Sequence, residues 1–114
     1  MKKPPTIITF RQALKGMKKL NTEIRYQSCF KERRFSSGLI AFRPGSDQDP
    51  KQISHTNKDV LCQVIKGSGR LRINARKIPL RAGTICHIPK GTPHDFAAGK
   101  GGELVLFYSL IKTG

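Results

Sequence analysis

Three histidines are the residues of this chain best suited to chemistry, and one of them stands in a stretch built to hold it. From Gly83 to His94 the sequence reads GTICHIPKGTPH. Its alternation predicts a short strand from Thr84 to Ile88, which must stop at Pro89, a residue with no N–H to give a ladder. Gly91 can take the positive φ that a reversal needs, and the rigid Pro93 fixes the backbone just before His94. An imidazole held so firmly suits ligation of a metal ion or of a polar group on a ligand. His55 lies in a second cluster, Gln52 to Gly67, ahead of a predicted strand from Val60 to Lys66. His87 shares a strand face with Ile85 by period-two alternation. It either points inward as a third nitrogen donor or lies on the outer face of the sheet.

The order glycine, five residues, proline, one, glycine, two, histidine resembles the second conserved motif of the cupins. These are small antiparallel β-barrels whose inward histidines usually hold a metal ion. Their first motif has two histidines one residue apart, an acidic residue a few positions on, and a glycine closing the next strand. Here His55 matches the second histidine and Gly67 the glycine, whereas Ile53 and Val60 stand where the first histidine and the acid belong. Asp59 is one residue out of register. In a strand that step turns a side chain to the opposite face, so Asp59 substitutes only if the strand bulges or starts after it.

The resemblance runs from Ser37 to Lys112. It implies an all-β fold, a single antiparallel β-barrel or jelly-roll, with His55 and His94 converging in one pocket. Candidates to complete a metal set are His87, Asp59, Cys62, Gln63 and Gln52, and the pocket wall would include Gln52, Ile53, Val60, Ile85 and Phe96. The ion would be zinc, iron, manganese or nickel. If Val60 marks an inward position, Cys62 shares its face, either as a thiolate near the site or as a small buried hydrophobe. A homodimer is also implied by the family.

Composition bounds the rest. At 114 residues the chain is one domain with one core. Its longest apolar run, Leu104 to Leu110, is a strand and not a membrane span. Pro4, Pro5 and the lack of serines argue against an organelle transit peptide in the acid-poor first 22 residues, so a cytoplasmic protein is expected. Three cysteines without CxxC spacing indicate neither a disulfide framework nor a zinc knuckle. The net charge of +15 is spread along the chain, with ten basic and two acidic residues among the first 34 and twelve and five in the remainder. Such a field concentrates anions without specifying one. No RNP-like or helix-turn-helix pattern accompanies it, which leaves nucleic-acid binding as an alternative carried by charge alone.

Residues 1–22 form a basic segment packed on the barrel of residues 23–114. Thr9 is expected to cap a short helix whose apolar face is Phe10, Ala13, Leu14 and Met17, seated on an open end of the barrel. Further strands are predicted over 23–30, 37–42, 69–73, 77–80, 94–97 and 104–110. Gly67 and Ser68 read as a two-residue hairpin turn inside a β-meander. Arg70 and Arg72 alternate with Leu71 and Ile73, and with Arg76, Lys77 and Arg81 they make a basic strip on one edge. No Ser/His/Asp arrangement, phosphate loop or carboxylate pair is present. The functions consistent with these residues are a module binding a metal ion or a small anionic ligand inside the barrel, a metal-dependent cupin enzyme (oxygenase, isomerase or decarboxylase), or a nucleic-acid-binding surface.

Overall fold

The computed structural model describes residues 4–20, 23–44 and 55–113. The chain runs α1 (Phe10–Lys15), β1 (Lys18–Lys19), β2 (Ile24–Lys31), β3 (Phe35–Phe42), β4 (Lys58–Lys66), β5 (Ser68–Ile73), β6 (Arg76–Arg81), β7 (Ile85–Ile88), β8 (His94–Ala98) and β9 (Leu104–Lys112). A six-stranded sheet in the order β1-β2-β3-β9-β4-β7 faces a three-stranded sheet in the order β6-β5-β8, and every pairing is antiparallel. This is an all-β jelly-roll barrel. Among the described residues no helix is long and apolar enough to cross a membrane.

Alternation builds the core. On β4 the buried Val60, Cys62 and Val64 alternate with the exposed Leu61 and Gln63. They meet Leu104 and Leu106 of β9, Leu71 of β5, Leu80 of β6 and Ile88 of β7 between the two sheets. Strands β3 and β9 are buried on both faces, which explains why their sequences run apolar instead of alternating. Their outer side chains Leu39, Ala41, Val105 and Phe107 lie under Ala13, Leu14 and Met17.

The N-terminal segment therefore covers the outer face of the large sheet, not an open end of the barrel. Thr9 caps α1 as expected: its Oγ1 accepts from the Gln12 N–H at 3.1 Å, and Gln12 Oε1 accepts from the Thr9 N–H at 2.9 Å. Gly16 caps the C-terminal end of the helix. Six residues give too short an apolar stripe for the full predicted face, so Phe10 stays 41 % exposed and Ile8 packs in the cluster.

Gly67 closes no hairpin. Strand β4 belongs to the large sheet and β5 to the small one, so Gly67 turns the corner between them at φ +85°, against the Glu103 carbonyl. The two-residue hairpin comes one strand later, where Ile73 pairs with Arg76 and Asn74 takes φ +55°. Asn is one of the few residues that tolerate that conformation, and it is the local signal for the turn. The meander expectation fails for the same reason: β7 returns to β4, β8 joins β5, and β9 inserts between β3 and β4.

Candidate functional site

The predicted motif turn links β7 to β8. Ile88, 1 % exposed, is the last inward residue before Pro89. Gly91 reverses the chain at φ +80°, and its N–H donates to the His55 carbonyl at 2.6 Å. That bond ties the chain entering β4 to the turn preceding β8, and so brings two distant histidines together. Their ring centroids are 6.1 Å apart and tilted by 41°. His94, 2 % exposed, also meets Phe96 edge-on at 5.9 Å.

His94 Nδ1 lies 2.8 Å from the Thr92 carbonyl oxygen. A carbonyl only accepts, so Nδ1 carries the hydrogen and Nε2 is left for another partner. Burial, the nearby His94 and the nearby Lys58 each push the His55 pKa below its ordinary value, favouring the neutral ring.

Both imidazoles border a cavity of about 400 Å³ between the sheets. Ile24, Ile40 and Phe42 form one side of its wall, and Val60, Cys62 and Phe96 line it as well. Leu106, Tyr108 and Leu110 of β9 complete the apolar lining. Phe42 and Phe96 stack obliquely at 5.7 Å. Burial is the main cause raising the Tyr108 phenol above its ordinary value, so it remains a neutral hydrogen-bonding group. Of the expected wall residues, Val60 and Phe96 line this cavity, while Gln52 and Ile53 lie outside the described residues.

The structure turns His87, Gln63 and Asp59 away from the cavity. Val60 pairs with Ile88 and Cys62 with Cys86, which puts Cys86 and Ile88 inward and Ile85 and His87 outward. Ile85 is 74 % exposed and is not a pocket residue. His87 is exposed, as is Gln63 between the inward Cys62 and Val64. Period two correctly joins Ile85 with His87; only the register against Val60 decides which face they occupy. Cys62 does reach the interior, but burial first, and then Cys86 opposite it, raise its pKa well above the ordinary thiol value. It packs there as a small buried thiol within the hydrophobic core.

Asp59 follows the one-residue rule and faces outward. Its Oδ2 lies 2.9 Å from His87 Nε2, and its Oδ1 accepts from the Lys90 N–H at 2.9 Å. The out-of-register acid thus holds the motif turn from outside. The His87 bond, then the Lys90 bond, depress the Asp59 pKa below its ordinary 3.8. A depressed carboxylate stabilises the fold above its unfolded pKa, and that contribution is lost as pH falls through the lower folded value. We therefore expect the Lys90 amide protection factor to fall several-fold as pH drops below the ordinary carboxylate range. Asp59→Ala should remove the same protection at neutral pH, by about threefold to tenfold. Unchanged Lys90 exchange in that variant would contradict the clamp.

The basic strip is also less open than alternation suggests. Asp95 is 5 % exposed beneath Arg70 and Arg72, which reach its two oxygens at 2.7 and 2.8 Å. Burial alone would raise its pKa, but the two arginine bonds outweigh it and hold the carboxyl below its ordinary value. Arg76, Lys77 and Arg81 remain exposed on edge strand β6. Sequence reasoning missed Asp95. Its signal was its place beside His94 on β8, opposite Arg72 in register.

As a resident metal centre, the donor set does not fit. Among the described residues no three His, Cys, Asp or Glu side chains gather to hold an ion. Besides the two imidazoles the cavity wall holds the Cys62 thiol, an apolar valine at the acidic position, and Asp95, whose two oxygens are already bound by Arg70 and Arg72, short of the three available protein ligands a catalytic metal usually has.

The comparisons agree with this architecture. The cupin domain of Schizosaccharomyces pombe Cnp3 superposes with a TM-score of 0.73 at 14% identity, covering 85% of this chain and 68% of that one. TT1209 from Thermus thermophilus gives 0.72 at 22% identity, with 87% and 93% covered. A predicted oxalate decarboxylase from Thermotoga maritima gives 0.71 at 16%, with 79% and 81% covered. No curated protein matches the sequence. At such identities these likenesses speak for the fold alone. The family model for the cupin domain matches residues 38–110, the span that holds β4 to β8, most of β3 and β9, and both imidazoles, and the chain belongs to the cupin family.

Proposed function

We propose that this cupin is a binding module for a small molecule with an apolar body and one anionic or hydrogen-bonding head. The observation that carries this is the combination of a cavity of about 400 Å³, walled largely by aliphatic and aromatic side chains, with two imidazoles at one place in that wall. Apolar surface supplies most of the binding free energy, and a few fixed polar groups orient the ligand. His94, with Nδ1 committed to Thr92, presents the Nε2 lone pair, so an acidic head is held there through one proton taken up on binding and shared between its oxygen and Nε2; His55 supplies a second imidazole beside it. The basic exterior would draw an anionic ligand toward the barrel and speed its arrival more than it would tighten its hold. Metal-dependent oxygenase, isomerase or decarboxylase chemistry is the less favoured reading, because Asp59, Gln63 and His87 face outward.

Calorimetric titration with two carboxylates tests the reading. Acetate carries the head without the body, and 1-naphthoate carries both. Burying roughly 150 Å² of ring surface is worth about 3–4 kcal/mol before ordering costs, so naphthoate should bind at 1:1 stoichiometry about a hundredfold more tightly than acetate. Equal affinities for the two would defeat an apolar cavity as the binding site.

A further inference from the structure

A second cavity, of about 350 Å³, lies where the β2–β3 turn meets the ends of β4 and β9. Among the described residues five cationic side chains line it, Lys31, Arg33, Arg34, Lys58 and Lys112, with Glu32 as the one carboxylate beside them. The backbone holds them there. The Glu32 N–H donates to the Phe35 carbonyl at 2.8 Å, closing the turn, and the Lys112 N–H donates to the Arg34 carbonyl at 2.8 Å. The Thr113 N–H bonds the Asn57 carbonyl at 3.1 Å, which fixes the strand end beside Lys58.

The register adds an independent observation. Lys58 and Lys112 are direct cross-strand partners on β4 and β9. Like charges directly opposite destabilise a sheet, so this pair is a standing cost unless an anion sits between them. The chain has few acids to offer: of its seven, Glu103 is engaged with Arg25, Asp95 with Arg70 and Arg72, and Asp59 with His87 and Lys90. At this cavity Glu32 stands against five cations, which leaves net positive charge for an anion from solution to meet.

We propose that this cavity is a binding site for a small multiply charged oxyanion, inorganic phosphate or the dianionic end of a phosphate monoester. Two guanidinium forks suit the oxygens of a tetrahedral anion, and the lysines add point charge without demanding one geometry. Asn57 and Ser36 add neutral hydrogen-bonding groups to the same wall. The cavity has room for one phosphoryl group among cations drawn from the β2–β3 turn, β4 and β9, whereas the β6 cations lie along a single edge strand. Because the anion relieves the Lys58–Lys112 repulsion, its binding is coupled to the stability of the strand ends. The site is separate from the imidazole cavity, although Leu110 lines both.

Titrating inorganic phosphate into the full chain at constant ionic strength tests this, with thermal stability and backbone amide shifts followed together. A saturable rise in melting temperature is expected, with shifts concentrated at residues 31–36, 57–58 and 112. Lys58→Gln with Lys112→Gln should weaken phosphate about tenfold or more and raise the phosphate-free melting temperature. Arg34→Gln should weaken phosphate about tenfold without that rise. Arg76→Gln with Lys77→Gln, and separately His94→Gln, should leave phosphate affinity unchanged. Non-saturable stabilisation, shifts spread over the basic surface, or equal weakening by the Arg76 and Lys77 substitutions would overturn the site. So would a duplex oligonucleotide that binds through the β6 edge while phosphate fails to bind the cavity.

Discussion

Gly67→Ala is expected to destabilise the protein by about 3 kcal/mol or more, although no side chain is lost. At φ +85° an added Cβ is strained, and it would also overlap the Glu103 carbonyl oxygen. The neighbour is backbone and cannot swing aside. The chain passes there from the large sheet to the small one, and β4 and β9 already shift register between Val64 and Lys66 to accommodate it. Relief would require moving either β4 or the entry to β9, both of which carry core residues. Urea denaturation of the variant measures the effect. A loss below about 1 kcal/mol would mean that the corner is pliable.

The same corner shows what a single sequence carries. Gly67-Ser68 between two alternating runs is a sound local signal for a turn, and the chain does turn there at positive φ, but around a corner between sheets. Whether the following strand pairs with the preceding one depends on where β7, β8 and β9 insert, which no local pattern contains. The same limit governs the candidate ligands. Alternation groups Val60 with Cys62, and Ile85 with His87, but only the Val60–Ile88 register shows that the second pair faces outward. The Gly83 to His94 turn is legible because each of its constraints is local: a proline that ends a strand, a glycine at positive φ and a proline before the histidine. Adjacency to His94 marks Asp95 in the sequence, but its role does not show there because its partners are two arginines on another strand. The N-terminal helix announces its cap and its apolar residues, yet the surface it covers is set by Leu39, Ala41 and Val105, far along the chain.

His94→Gln is expected to weaken 1-naphthoate by about tenfold to hundredfold, the loss that follows when a charge-assisted hydrogen bond to a ligand head is removed. Glutamine keeps a polar side chain of moderate size, but it cannot reproduce the imidazole held by the Thr92 carbonyl and edge-on to Phe96. The urea midpoint reports whether the variant remains folded. Retained affinity in a folded His94→Gln protein would remove His94 from the site.

Direct contact between ligand and cavity wall is the decisive observation. Isotope-filtered nuclear Overhauser spectroscopy of the labelled protein with unlabelled 1-naphthoate reads it without a mutation. The account expects cross-peaks from the ring protons to Phe42, Phe96, Val60 and Leu106, which meet only inside the barrel. Cross-peaks to Leu61, Ile85 or the Lys31–Arg34 turn, with none to those interior side chains, would contradict it.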